Sequence, residues 1–254
     1  FKPSKVLGKN THIVWDHIHN ELINLQFTEK KQIHITSTYT DKKGAQIIEK
    51  YKNYDFVDIL KFRNNAEQLT SDRIKVTFRN DNIVEEVGGK NLQRFVDVEL
   101  AFAYTNSTTP YIDSFSNGNN TIDNGSHLDG ALEGICRYFQ QATKASLTDK
   151  EREKLDIKWD DVKNGLSLAI SMRTSLEGLY TGQTKQKVQN DDLERLIRDR
   201  TIEALQSWGT SNPNQLRELI SIVKLNAKVR YEGEKVRNAV VKESITNWGS
   251  FRMK

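Results

Sequence analysis

The sequence predicts an α+β fold: a mostly antiparallel sheet covered on one face by helices, followed by a long C-terminal helical stem. Three observations carry this expectation. Two-residue alternation marks strands, most cleanly where Leu166, Leu168, Ile170 and Met172 interleave with Ser167, Ala169, Ser171 and Arg173, and again over Val98–Tyr104. Helical spacing follows in Leu193, Leu196, Ile197, Ala204, Leu205 and Trp208, and in Leu128, Leu132, Ile135 and Phe139. The last 42 residues open on Pro213 and carry Leu216, Leu219, Ile220, Val223 and Ala227 on one stripe, as the start of a long helix does.

Taken in order, Phe1–Lys9 reads as the end of a strand and a turn whose partners lie upstream. Thr11–Phe27 places Ile13, Val14, His17, Leu22 and Leu25 at helical intervals. Short strands are expected at Ile33 and Ile35, and at Ile74, Val76 and Phe78, where Lys75, Thr77 and Arg79 form a wet face. Between them, Asp55–Leu69 fits either a helix or an elaborated loop. Ser116–Gly125, rich in Asn, Gly and Ser, is a loop. Ser126 and Asp129 have capping-box spacing at the start of the Leu128–Phe139 helix. Asn190 caps the helix that runs to Gly209, with Asp191 and Asp192 in its first turn, where the positive end of the helix dipole favours carboxylates. Asn212 caps the stem, and Gly233, which disfavours helix by about 1 kcal/mol relative to Ala, predicts a break near Tyr231–Glu234.

Composition narrows the function classes. The chain has 254 residues, enough for one large domain or two of typical size. Charged residues make up 28% and mean hydropathy is −0.67. No apolar run spans a bilayer and Phe1 starts no secretory leader, so no membrane is expected. The single Cys136 has no disulfide partner within the chain and falls on a helix, which fits a reducing compartment. His12, His17 and His19 lack Cys or carboxylate at ligand spacing, so no metal site is expected. His127 has neither nucleophile nor carboxylate pair beside it and reads as a structural histidine bonded to backbone. Gly88-Gly89-Lys90 lacks the spacing of a phosphate loop.

Two features remain as candidate sites. Tyr180–Val188 (Tyr-Thr-Gly-Gln-Thr-Lys-Gln-Lys-Val) is a loop held between a strand and a capped helix, and it presents Gln183, Thr184, Lys185 and Lys187. Its lysines are either simply solvated or placed to meet a phosphate. The net charge is only +4, yet residues 219–254 hold eight basic against three acidic residues, a net of +5 that leaves −1 for the remainder. That basic tail, with Lys228, Arg230, Lys235 and Arg237 at its centre, is either an ordinary solvated helix or an element facing a polyanion.

The run from Trp159-Asp160-Asp161-Val162-Lys163-Asn164-Gly165-Leu166 through the alternating strand to Gly182-Gln183-Thr184-Lys185 resembles the transducer domain of the type IIA DNA topoisomerase ATPase subunit, the family of bacterial gyrase and its phage relatives. Upstream, Ser114–His127 is similar to that family's strand-end segment running into a Gly-Gly-Thr-His-type turn. Asn124 stands there in place of the first glycine, which is compatible because Asn takes positive φ more readily than most residues. Residues 36–94 have no counterpart in this match.

The resemblance implies the fold of the second domain of ribosomal small-subunit protein five. It implies a transducer over residues 1–210, with 1–9 as the end of a preceding ATPase domain, and a basic helical stem over 211–254. It further implies coupling of ATP hydrolysis to strand passage, with Lys185 reaching the γ-phosphate of ATP and Gln183 and Thr184 on the same loop. ATP and its Mg2+ would be held by the ATPase domain. No catalytic residue is expected in this chain, which alone would be inactive. Implied partners are double-stranded DNA, at Lys228, Arg230, Lys235 and Arg237, the ATPase and metal-binding domains of the same enzyme, an A-type topoisomerase subunit and a second copy in a homodimer. The implied location is the cytoplasm of a bacterial or phage-infected cell. Two alternatives stay open: a nonenzymatic nucleic-acid-binding module of the same fold, and the second domain of a mismatch-repair ATPase.

Overall fold

A computed structural model describes residues 15–30, 33–40, 44–64, 69–107 and 111–251; for 15–17 and 242–251 the backbone alone is described. The strand end and turn expected at Phe1–Lys9, and the first residues of the first expected helix, lie outside these. The elements are α1 (Trp15–Thr28), β1 (His34–Thr40), β2 (Gln46–Lys52), α2 (Asp58–Arg63), β3 (Ile74–Val87), β4 (Lys90–Tyr104), β5 (Ile112–Ser116), β6 (Asn119–Asn120), α3 (Ser126–Ala145), α4 (Asp149–Arg152), α5 (Trp159–Lys163), β7 (Leu166–Thr174), α6 (Asp191–Ser211) and α7 (Pro213–Phe251).

β1 and β2 form a separate antiparallel pair, and the other strands make one sheet in the order β3-β4-β7-β5-β6. β3 and β4 are a long hairpin in which Val87 faces Lys90. Its two-residue loop is Gly88 and Gly89, at φ +60° and +77°, the backbone that a hairpin turn with both central residues at positive φ requires. Gly88-Gly89-Lys90 is therefore a hairpin turn. β4 pairs antiparallel with β7, whereas β5 pairs parallel with it. The sheet is mostly antiparallel, as expected, with one parallel pair reached through the α3–α5 crossover.

Alternation sets the main core. Val96, Val98, Leu100, Phe102 and Tyr104 of β4 join Leu166, Leu168, Ile170 and Met172 of β7 against Leu128, Ile135 and Phe139 of α3, Leu193, Ile197 and Leu205 of α6, and Leu219, Val223 and Ala227 of α7. Covering on one face is the expectation that fails. Ala101, Ala103, Phe115 and Ala169 on the opposite face lie under Ile23 and Phe27 of α1, Tyr51 of β2, and Phe56, Ile59 and Leu60 in and beside α2. The small side chains on this face leave room for these elements to approach. Polar Ser167 is buried there because it accepts from Asn64 Nδ2 at 2.9 Å and donates to Tyr111 O at 2.9 Å.

α7 runs unbroken over 39 residues, roughly 58 Å at about 1.5 Å per residue. The break expected at Tyr231–Glu234 is absent. Tyr231 is the last residue packed against the core, residues 232–241 are exposed, and nothing lies within 4 Å of a Cβ built on Gly233, so the glycine interrupts no packing. Asn212 sits between two helices, and its side chain donates to Trp208 O at 2.9 Å, closing α6.

Candidate functional site

The Tyr180–Val188 loop is a small hairpin whose ends meet in an antiparallel bridge between Tyr180 and Val188. Thr181 N donates to Lys187 O at 3.2 Å, and Lys185 N to Gly182 O at 3.1 Å, turning the tip so tightly that Lys185 adopts φ +55°. A non-glycine residue in this left-handed region is uncommon and costs energy that the surrounding bonds must offset. Gln183, Thr184, Lys185 and Lys187 are all exposed. Thr184 Oγ1 donates to Gln186 Oε1 at 3.2 Å. Among the described residues Lys185 has no carboxylate partner; its Nζ lies 5.6 Å from the centroid of the Tyr180 ring.

The base of this loop rests on the Asn124-Gly125-Ser126 turn, so the two sequence blocks that carried the resemblance are one structural unit. Asn124 has φ +60° and Gly125 φ +131°, so Asn124 takes the positive φ expected of it. Val188 N donates to Asn124 O at 3.3 Å, Ser126 N to Val188 O at 3.0 Å, and Asp123 N to Gln186 O at 3.0 Å. A Cβ on Gly125 would lie 2.0 Å from Val188 O. Only glycine allows the loop to seat.

Ser126 is not the side-chain cap that its spacing with Asp129 suggested. Gly125 holds the cap position and makes no side-chain bond. With its own N–H taken by Val188 O, Ser126 turns its hydroxyl to accept Asn190 N at 2.9 Å. Asn190 in turn caps α6 as expected, accepting from Leu193 N at 2.8 Å. The first turns of α3 and α6 thus start side by side at the foot of the lysine loop.

Beneath the turn lies a buried hydroxyl cluster. Ser114 Oγ and Thr121 Oγ1 are 2.5 Å apart, and Thr121 Oγ1 is 3.2 Å from His127 Nε2. The structural role expected for His127 stands, but its partner is a threonine hydroxyl rather than backbone. Its Nδ1 has no partner among the described residues, and burial lowers its pKa to about 4, which keeps the ring neutral at pH 7. At the rim, Ser116 Oγ meets the Tyr180 hydroxyl at 2.9 Å.

The basic tail divides. Arg230 is committed to the body: its Nε and Nη2 meet Asp161 Oδ1 and Oδ2 at 2.7 and 2.9 Å, and its Nη2 also donates to Asp156 O at 2.5 Å. The expectation that it faces a polyanion is corrected on that ground. Lys228 lies 3.4 Å from Glu151 and Lys235 3.9 Å from Glu232, in exposed pairs that leave both cations available. Arg237 is exposed.

Cys136 is buried, and burial pushes its thiol up to about 11, as an inert helix residue requires. His19 contacts Tyr51 and Glu49, and no group of three potential metal ligands occurs among the described residues. No described helix is long and apolar enough to cross a membrane. Sequence reasoning passed over Tyr180 and Ser116, which lie 64 residues apart and meet only in the fold.

The chain and its fold are similar to known proteins. The chain is 25% identical over 249 residues to the DNA gyrase B protein of Eisenibacter elegans, a match covering 96% of this chain and 49% of that protein. It is 30% identical over 150 residues to the DNA gyrase B protein of Chitinophaga japonensis, covering 59% of this chain and 31% of that one. It therefore spans between about a third and half of the length of these relatives. The fold matches the 43K ATPase domain of Thermus thermophilus gyrase B in complex with an aminocoumarin, with a TM-score of 0.66 at 18% identity over 93% of this chain and 59% of that one. It also matches the topoisomerase IV ATP-binding domain of Francisella tularensis, with a TM-score of 0.58 at 19% identity over 89% and 56%. The DNA gyrase B family model matches residues 54–239, which includes most of the 36–94 stretch that the resemblance left without a counterpart. The chain belongs to the DNA gyrase B family of type II topoisomerases.

Proposed function

We propose that this chain is the transducer region of an ATP-dependent type II topoisomerase, coupling ATP binding and hydrolysis to DNA strand passage through Lys185. The supporting observation is the exposed Lys185 ammonium, without a carboxylate partner among the described residues, on a tip fixed by the Asn124–Ser126 turn. An ammonium offers three donors on a long stem, and an exposed one of this kind fits a phosphate. ATP, its Mg2+ held by a nucleotide-binding domain of the same enzyme, supplies the transferable γ-phosphate. Lys185 contacts that phosphate, with Gln183 and Thr184 shaping the same tip.

In this reading residues 211–254 are the stem, which carries the coupling toward double-stranded DNA and the A-type subunit, and two copies pair in the working enzyme. Lys228, Lys235 and Arg237 are the stem cations that meet DNA phosphates. The chain by itself turns over no ATP, because one lysine does not make a nucleotide pocket. Location in the cytoplasm of a bacterial or phage-infected cell follows from the same family reading.

Lys185→Ala, in a subunit that includes the nucleotide-binding domain, tests the assignment. A charge-assisted contact is worth about 1.5 to 3 kcal/mol, so turnover should fall roughly 10- to 150-fold at about 1.36 kcal/mol per decade. Lys187→Ala should have a smaller effect. Unchanged ATP turnover in Lys185→Ala would refute the assignment.

A further inference from the structure

Tyr180 makes three different contacts at the lysine loop. Its backbone bridges Val188 and closes the hairpin. Its hydroxyl lies 2.9 Å from Ser116 Oγ and donates to Ser116 O at 3.4 Å, tying the loop to the end of β5 through a fully buried serine. Its ring lies under the Lys185 ammonium, 5.6 Å from centroid to Nζ. Lys185 has four rotatable side-chain bonds, a strained backbone at φ +55° and no carboxylate partner among the described residues. Among those residues, the one partner that restrains its charged end is therefore this ring.

We propose that Tyr180 is the positioning residue for Lys185, its ring holding the ammonium over the loop and its hydroxyl fixing that ring to β5. This rests on the reading of Lys185 as a phosphate contact, but the physical claim is narrower and separable. A cation held on the electron-rich face of an aromatic ring at an exposed site gains little, too little to compete with a charge-assisted bond to a phosphate oxygen. The ring can therefore restrain the lysine while the site is empty and release it when an anion arrives. Restraint reduces the side-chain entropy lost when the contact forms, which for lysine is among the largest of any residue. The gain from preorganisation is accordingly modest, about two- to five-fold in the rate of the step that uses the lysine.

The test combines spectroscopy on the full chain with kinetics on a subunit carrying the nucleotide-binding domain. Lysines are reductively methylated with 13C-formaldehyde, and the Lys185 signal is assigned by its loss in Lys185→Arg. That signal should be displaced upfield by the Tyr180 ring current, retain most of the displacement in Tyr180→Phe and lose it in Tyr180→Leu. Thermal unfolding of each variant monitors the fold, and Tyr180→Phe keeps the test decisive if Tyr180→Leu misfolds. In kinetics, Tyr180→Leu should lower kcat for ATP about two- to five-fold with KM little changed, and Tyr180→Phe should fall between it and wild type. An undisplaced Lys185 signal in the wild-type chain, or a displacement that persists in folded Tyr180→Leu, overturns the proposal. If the displacement behaves as expected while Lys185→Ala leaves ATP turnover intact, the positioning stands and the phosphate reading fails.

Discussion

Arg230 and Asp161 lock the stem to the body: the guanidinium meets both carboxylate oxygens, at 2.7 and 2.9 Å, where α7 leaves the core, and Asp161 is only 2% exposed. Asp161 Oδ2 also accepts Lys158 N at 2.8 Å, so the carboxylate is fully engaged. The pairing raises the pKa of Arg230 further above its already high ordinary value, first through the hydrogen bond to Asp161. Arg230→Gln would leave a buried carboxylate without its charge partner and should destabilise the chain by roughly 3 kcal/mol in urea denaturation. Adding Asp161→Asn should recover part of that loss.

The same relationship changes what is expected of DNA binding. With Arg230 withdrawn, Lys228, Lys235 and Arg237 remain, and if about three phosphates are engaged the logarithm of affinity for duplex DNA should fall against log salt with a slope near −3. Replacing those three with Gln should flatten the slope while stability shifts by no more than about 0.5 kcal/mol. An unchanged slope in the triple variant would show that the tail is a solvated helix.

Gly125→Ala should be among the most damaging substitutions in the chain. Its Cβ would lie 2.0 Å from Val188 O, at a φ of +131° that L residues rarely adopt. A loss of at least about 2 kcal/mol is expected, with faster amide exchange at Ser126 and Val188 as the loop lifts off the turn. Gly182→Ala in the same loop meets nothing nearer than Thr184 Oγ1 at 4.0 Å and should be close to neutral.

His127 makes stability pH-dependent in a definable window. Burial lowers its folded pKa to about 4 from an ordinary 6.5. Between these values the unfolded chain binds the proton and the folded chain does not, so this contribution is complete above pH 6.5 and lost progressively as pH falls toward 4. Its full size is on the order of 3 kcal/mol at about 1.36 kcal/mol per pKa unit. Urea midpoints at about pH 7, 5.5 and 4.5 should fall in that order, and His127→Gln should flatten the decline. Equal slopes in both proteins would assign the acid sensitivity elsewhere.

Gly233→Ala should stabilise the stem. The position lies inside α7 with open space around a new Cβ, so the helix should gain about 1 kcal/mol. Because the segment is exposed, the gain should appear locally, as roughly five-fold slower amide exchange around residues 230–240.

Much of this protein was determined by its sequence alone. The alternation in β4 and β7, the helical stripes of α3 and α6, the cap at Asn190 and the proline that opens α7 are local signals, and the stripes and alternation produced their elements because a two-residue or 3.6-residue period decides which side chains share a face. The lysine loop and the Asn-Gly-Ser-His turn were legible for the same reason, as short runs with turn and cap chemistry. Tertiary structure decided what depends on approach between distant segments. Helices were expected on one face of the sheet only, because nothing local shows that α1, α2 and Tyr51 cover the face that carries Ala101, Ala103 and Ala169. Ser126 has the spacing of a cap, but Val188 O reached its N–H first and its hydroxyl went to Asn190. Arg230 looked like any other cation in a basic tail until the fold brought Asp161 beside it, 69 residues away in sequence. Buried polar partners are set by which groups lose water together, and that is a property of the packed molecule rather than of any window of its sequence.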